Sequence, residues 1–193
     1  RPQFHARAAP LAPPRMSATG TGIALRGILP TEVDSVMSMA REIWPAAYGQ
    51  MISAEQIDYM LGWMYAPQRL LAEITDGIAY RWIVRDGERI GFAAFGPVRH
   101  GAACPLHKCY LLPSSQGYGA GSEAMVLLCA EAAAAGATRL DLRVNRHNTP
   151  AIGFYLKNGF AITGEDCLDI GGDFAMDDYL MGKPLAATQI SDF

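Results

Sequence analysis

The sequence predicts an α/β chain with a mixed sheet and a central helix docked on it. Three observations carry this. Period-two apolar runs alternate with runs at helical spacing between Ile23 and Leu185. Two apolar, aromatic runs flank Asp86-Gly87-Glu88 as a hairpin. A glycine-rich turn, Gln116-Gly-Tyr-Gly-Ala-Gly121, joins a short apolar run to a long helix-periodic one.

The elements follow in order. Residues 23–29 alternate weakly and read as a first strand. Pro30, Thr31 and Asp34 open a helix that is expected to stop at Pro45, because proline lacks the N–H that a helix interior needs. Ser53-Ala-Glu-Gln56 matches a capping box, which starts a second helix running to about Tyr65; residues 69–74 add a further turn. Strands follow at 78–85, 89–95 and 106–112. Met125, Leu128, Cys129 and Ala132 share one face of the helix over Glu123–Ala135, and Gly136 ends it. Leu140, Leu142 and Val144 line one side of a strand at 138–144. Thr149-Pro150 opens the next helix, with Thr149 as N-cap, and Asn158-Gly159 closes it. Two last strands, 160–170 and 178–184, surround Gly171-Gly172.

Size and composition bound the function. A chain of 193 residues fits one domain, assigned to 23–185, and half of its residues are hydrophobic, ample for a core. Residues 1–22 hold four prolines, three arginines and no acid, and read as a disordered tail or a cloning remnant, with Met16 a candidate natural start. An Arg-rich, acid-free segment also has the character of a transit peptide, but it shows no clear amphipathic helix. Residues 186–193 read as a second tail. The net charge of −3 gives no reason to expect nucleic-acid binding. No apolar run approaches the roughly 20 residues of a membrane span. Cys104, Cys109, Cys129 and Cys167 lack C-x-x-C spacing, so no metal site is expected and a reducing cytoplasm is the simplest setting.

The glycine turn carries chemistry. Glycine lets the backbone approach closely and adopt positive φ. The helix start aims unpaired N–H groups and a partial positive charge at an anion. No Lys-Ser/Thr pair follows, so this is not a nucleoside-triphosphate loop. A ligand-free turn is the bland alternative.

Gln116-x-x-Gly119-x-Gly121 resembles the acyl-CoA pyrophosphate loop of the GNAT-type N-acetyltransferases. Thirty residues on, Asn148-x-x-Ala151-x-x-Phe154-Tyr155-x-Lys157-x-Gly159-Phe160 resembles that family's second cofactor motif. The element order also fits, so the resemblance covers most of the chain. Ile43–Tyr65 and Gly172–Lys183 look like a bacterial branch that includes polyamine acetyltransferases. The resemblance implies a mostly antiparallel mixed sheet with helices on both faces and a splayed cofactor cleft. It also implies transfer of acetyl from acetyl-CoA to a small-molecule amine by direct attack, with a homodimer an open option. Main-chain groups of Leu111 and Leu112 would pair with the pantetheine arm. The N–H groups of Gln116, Gly117, Gly119, Gly121 and Ser122 would hold the diphosphate, and Asn148 would bond the pantetheine region. Tyr155 would protonate the departing thiolate.

The base is open. Many relatives carry a glutamate on the strand before the glycine loop, yet no acid lies between Arg89 and Ser122. His107 is one candidate, since its ordinary pKa suits proton transfer; an ordered water chain, Glu55, Asp58 and Glu73 are others. Trp44, Tyr48 and Tyr59 are assigned to the acceptor site, against the plainer reading that such helix-spaced aromatics are core. The acids Glu165, Asp166, Asp169, Asp173, Asp177 and Asp178, with no Lys or Arg from 158 to 182, would steer a cationic amine if they face the cleft, and otherwise form a solvated hairpin. Three rival functions are weighed. A dinucleotide-binding unit is disfavoured because Ser122 stands where a third glycine belongs and Asp141 lies in mid-strand. A non-catalytic acyl-CoA sensor is permitted by the missing carboxylate. A peptide or protein N-acetyltransferase is permitted by the tryptophan- and methionine-rich helices.

Overall fold

The computed structural model describes residues 22–186. The two expected tails, apart from Gly22 and Ala186, lie outside those residues. One seven-stranded sheet runs in the order β1 (Ile23–Gly27), β2 (Ala79–Arg85), β3 (Glu88–Phe95), β4 (Ala103–Leu111), β5 (Arg139–Asn145), β7 (Phe174–Pro184), β6 (Ala161–Gly171). Every neighbouring pair is antiparallel except β4 and β5. The β2–β3 hairpin turns on Asp86 and Gly87, both with positive φ (52° and 85°), the geometry that matches strand twist in a two-residue turn.

Alternate side chains of the inner strands feed two cores. Tyr80, Trp82, Phe92 and Ala94 pack under α1 (Val33–Tyr48), α2 (Ala54–Met64) and α3 (Pro67–Thr75). Ile83, Ala93, Leu106, Leu140 and Leu142 pack under α4 (Ala120–Ala134), with α5 (Thr149–Lys157) against the same core. The expected mixed sheet with helices on both faces is therefore present.

Several boundaries differ from the sequence reading; β4 and α4 each start three residues earlier than expected. Helix α1 does not stop at Pro45 but runs on to Tyr48, with Pro45 inside it. Trp44 is 1 % exposed, and the Gly49 N–H closes on the Pro45 carbonyl, so packing and a last-turn bond outweigh the one bond that proline forfeits. The expected turn at 69–74 is the nine-residue helix α3, with Pro67 in its first turn. Helix α5 takes Asn148 rather than Thr149 as N-cap; the Asn148 Oδ1 accepts the Ala151 N–H at 3.1 Å. Strand β7 begins at Phe174, four residues earlier than expected, because the turn after Gly171 is tight.

The feature that positions a site is the short β4–β5 ladder. It pairs Ala103–Leu106 with Arg139–Leu142 and then ends, while both strands continue, so a gap opens in the sheet beyond Leu106 and Leu142.

Candidate active site

The glycine turn sits beside that gap. Gly117 (φ 91°) and Gly119 (φ 81°) occupy the left-handed region, and Gly119 is the N-cap of α4. Among the described residues, none of the N–H groups from Gly117 to Ser122 meets an acceptor. A Cβ on Gly121 would lie 3.0 Å from the Phe154 ring and 3.6 Å from Leu111 Cδ1, so α4, α5 and β4 converge at this glycine. A Cβ on Gly117 would meet nothing within 4 Å. Close-packed below and open above, with a row of bare donors at a helix N-terminus, this is a cradle that fits a diphosphate.

Register decides which main-chain groups face the gap. The Leu112 N–H donates to the Ile90 carbonyl at 2.8 Å, and the Leu112 carbonyl accepts from Ser115 at 2.9 Å. Leu112 thus has both groups engaged, which corrects its assignment to the pantetheine arm. Direction alternates along an antiparallel ladder, so Leu111, opposite Gly91, turns its N–H away from β3 and toward the gap. Its carbonyl accepts the Gln116 side-chain amide at 3.2 Å. Gln116 therefore braces the end of β4. Asn148 is 9 % exposed, with its oxygen spent on the cap and its NH₂ without a partner among the described residues. Ser122 is half-buried in the first turn of α4.

Tyr155 is half-buried on α5, packed between the Phe154 and Phe160 rings at 5.3 and 5.5 Å. Burial pushes its phenol well above the usual range, with Cys109 and Tyr48 close enough to add to the effect. Its phenol is therefore neutral, and no side chain among the described residues hydrogen-bonds it.

On the helical side of the gap lies a cavity of about 530 Å³. Trp44 and Tyr48 line it together with Met60, Met64, Met176 and Met181; Tyr59 does not. The Tyr59 hydroxyl donates to the Ile170 carbonyl at 2.8 Å and its ring packs on Phe174, so it ties α2 to the β6–β7 hairpin, which corrects its assignment to the acceptor site. Gln56 adds a second tie, to the Ala175 carbonyl at 3.1 Å. The reason is helical phase: Gln56, Met60 and Met64 share the cavity face, and Tyr59 lies off it.

His107 also lines the cavity. Its Nε2 lies 2.6 Å from the Gly96 carbonyl and must donate to it, which leaves Nδ1 to accept a proton. Glu55 and Asp58 are not among the lining residues. Glu73 is, but it accepts from Lys108 at 2.8 Å, from Arg69 at 3.0 Å and from the Tyr80 hydroxyl. Burial pushes the Glu73 carboxyl up; the bonds from Lys108, Tyr80 and Arg69 and the Lys108 charge outweigh it and hold it below the usual carboxylate range. That makes Glu73 a counter-ion for buried Lys108 rather than a base.

The acidic run is not a bare negative face. Arg143 pairs with Asp166 and Asp178, and Arg146 pairs with Glu165 and Asp177. The arginines come from β5 and its end, upstream of the run. Of the six acids only Asp178 reaches the cavity, and it is 3 % exposed. Sequence reading grouped it with the others. The signal that singles it out is its place between Met176 and Leu180 on one face of a strand, an acid flanked at i±2 by apolar residues. Tyr110 was also missed; its hydroxyl bonds that of Tyr48 at 3.0 Å.

Comparison with known proteins agrees with this architecture. Residues 37–160 match the acetyltransferase (GNAT) family. An uncharacterized N-acetyltransferase of Mycobacterium tuberculosis is 32% identical over 158 residues, covering 80% of this chain and 99% of the relative. A spermidine N(1)-acetyltransferase of Thermoplasma acidophilum is 26% identical over 160 residues, covering 80% and 96%. Among solved structures, the PaiA N-acetyltransferase of Thermoplasma acidophilum in complex with coenzyme A superposes with a TM-score of 0.71 at 24% identity, covering 84% of this chain and 99% of that one. A GCN5-related N-acetyltransferase from Rhodopseudomonas palustris also reaches 0.71, at 20% identity, covering 88% and 100%.

Proposed function

The chain belongs to the acetyltransferase (GNAT) family and is an acetyl-CoA-dependent N-acetyltransferase, and on that premise we propose that its acceptor is a small cationic amine, with spermidine one member of the class. The observation that carries this is the cavity. Gln56 and Tyr59 tie the β6–β7 hairpin onto α2, which walls the acceptor side as a pocket of about 530 Å³. That volume suits a small ligand. Its walls offer Trp44 and Tyr48 to a cation and hold a buried carboxylate. The lining also holds Arg69, Lys108, Arg139 and Arg143 against Glu73, Asp141 and Asp178, so recognition of the amine is local and not a matter of long-range steering.

Acetyl-CoA supplies an acetyl group on a thioester, whose C–S bond breaks as the C–N bond forms. This chain's residues hold and polarise. The N–H groups of Gly117–Ser122 bind the diphosphate through partial charges. The Asn148 NH₂ donates to the pantetheine arm. The Leu111 N–H donates to the acetyl oxygen, an oxyanion-type contact. Tyr155 gives its proton to the departing sulfur. The four free cysteines accord with a reducing compartment, and we infer the cytoplasm. Among the described residues no helix is long and apolar enough to cross a membrane.

The test is coenzyme A release from acetyl-CoA across polyamines, aminoglycosides, amino acids and N-terminal peptides. Turnover with polyamines or other small amines is expected. Turnover with peptides alone would overturn the reading.

A further inference from the structure

Three carboxylates line the cavity, and they are not equivalent. Glu73 has both oxygens engaged, Oε1 by Arg69 and Oε2 by Lys108 and Tyr80. Asp141 has both engaged in a fork by Arg139, at 2.6 Å each. Asp178 receives one bond, from Arg143 Nε to Oδ2 at 3.1 Å, and its Oδ1 has no partner among the described residues. Arg143 is itself shared, its Nη1 lying 2.8 Å from Asp166. A carboxylate that is 3 % exposed, with one oxygen open to a cavity, costs free energy unless something fills that position.

Its neighbours point to what fills it. Asp178 lies opposite Asn145 at the end of β5, beside the gap where the β4–β5 ladder has ended. Its charge reaches Tyr48 on α1, whose hydroxyl bonds Tyr110 on β4; Tyr155 on α5 lies within reach of both tyrosines. Asp178 thus lines the cavity beside Tyr48 and Tyr110, the two tyrosines that Tyr155 approaches.

We propose that Asp178 is the carboxylate that binds the acceptor's ammonium through Oδ1 and takes its proton, in place of the glutamate that β4 lacks. This rests on the reading that the amine enters this cavity. The step balances without a further reactant. An ammonium N–H bond breaks and an O–H bond forms on Asp178. The freed lone pair makes the C–N bond, and the C–S pair leaves with sulfur, which takes the Tyr155 proton. The phenolate recovers a proton from the nitrogen, and Asp178 releases its own to water. The groups that face Asp178 are Arg143 on β5, Asp166 on β6, Asp177 on its own strand and Tyr48 on α1. Burial raises its carboxyl above the usual range against the pull of Arg143, which brings it nearer to the proton it must accept.

The experiment compares the full wild-type chain with Asp178→Asn and Asp178→Glu, using spermidine and, beside it, the best amine of the panel. Calorimetry on the cofactor-free protein is expected to show the amine binding at least about tenfold more weakly to the Asn variant, while coenzyme A binds both alike. The Asn variant's kcat/KM is expected to fall about 10²-fold or more, as for loss of a general base. Its pH profile should move alkaline, following the free amine's own deprotonation. The Glu variant should keep the wild-type profile at a reduced rate, which decides the matter if the Asn variant does not fold. Amine binding and a pH profile unchanged in the Asn variant would overturn the proposal and leave the acetyltransferase reading standing. A wild type that acetylates no amine of the panel would overturn both.

Discussion

The role proposed for Tyr155 rests on what it lacks. Rings on both sides fix it, and no side chain among the described residues hydrogen-bonds its hydroxyl. Tyr155→Phe keeps the packing and removes only the proton. It is expected to lower kcat by about 10²–10⁴-fold with coenzyme A affinity unchanged, measured by steady-state kinetics beside calorimetry. An undiminished kcat would remove the assignment. Glu73 shows the opposite condition, a carboxylate with no capacity left over. Glu73→Gln leaves the Lys108 ammonium buried, 4 % exposed, without its counter-ion. Breaking such a pair costs about 3–5 kcal/mol, and the lower end applies because Glu73 is itself partly exposed. The pH dependence follows from the depressed carboxyl. Its contribution is complete above the ordinary carboxylate pKa and is lost as pH falls through the lower folded value. The stability gap between wild type and Glu73→Gln, from urea unfolding, should therefore be widest near neutrality and close in strong acid.

Strand β4 is the element on which both halves of the site depend. Its far side presents Leu111 to the cofactor gap, and its near side carries Lys108 and Tyr110 into the cavity. Its fit to β3 is tight at Gly91, where a Cβ would lie 2.2 Å from the Tyr110 carbonyl and 2.7 Å from Leu111 Cδ2. Gly91→Ala is expected to cost about 3 kcal/mol by overpacking, and to weaken coenzyme A binding too, since relief requires β4 to shift. Urea unfolding and calorimetry on the same variant test this; a stable variant with normal binding would contradict it. The strands and the glycine turn were legible because local rules produce them: alternation, a hairpin turn and a helix start. The run of α1 through Pro45 was not, since Trp44 buried in a distant core overrides proline. Nor was the pairing of the acidic hairpin, because Arg143 and Arg146 reach it only across the β5–β7 ladder. Likewise Tyr59 and Asp178 exchanged importance. Residue type alone does not tell a tie between elements from a group aimed into a cavity.

At the scale of the molecule, a sheet continuous from β1 to β6 is weakest where two parallel strands share four residue pairs and then separate. The helix-walled cavity lies on one side of that gap and the α4 N-terminus on the other. A cofactor lying in the gap would therefore join parts of the sheet that the chain itself leaves apart. Binding to the folded state alone stabilises by about 2.7 kcal/mol at a hundred times Kd. For a chain of this size each kcal/mol moves Tm by about 2–4 °C, so coenzyme A at that excess should raise Tm by about 5–10 °C while NADH does not. Location can be read separately by hydrogen exchange. By register the Leu111 N–H turns away from β3, and those of Gly117–Ser122 meet no acceptor among the described residues, so they should exchange rapidly in the free protein. Coenzyme A should slow those of the glycine turn, and acetyl-CoA should slow Leu111 as well. A rise in Tm with exchange at 117–122 unchanged would mean that the cofactor binds elsewhere, and the assignment of the helix start as its diphosphate site would fall.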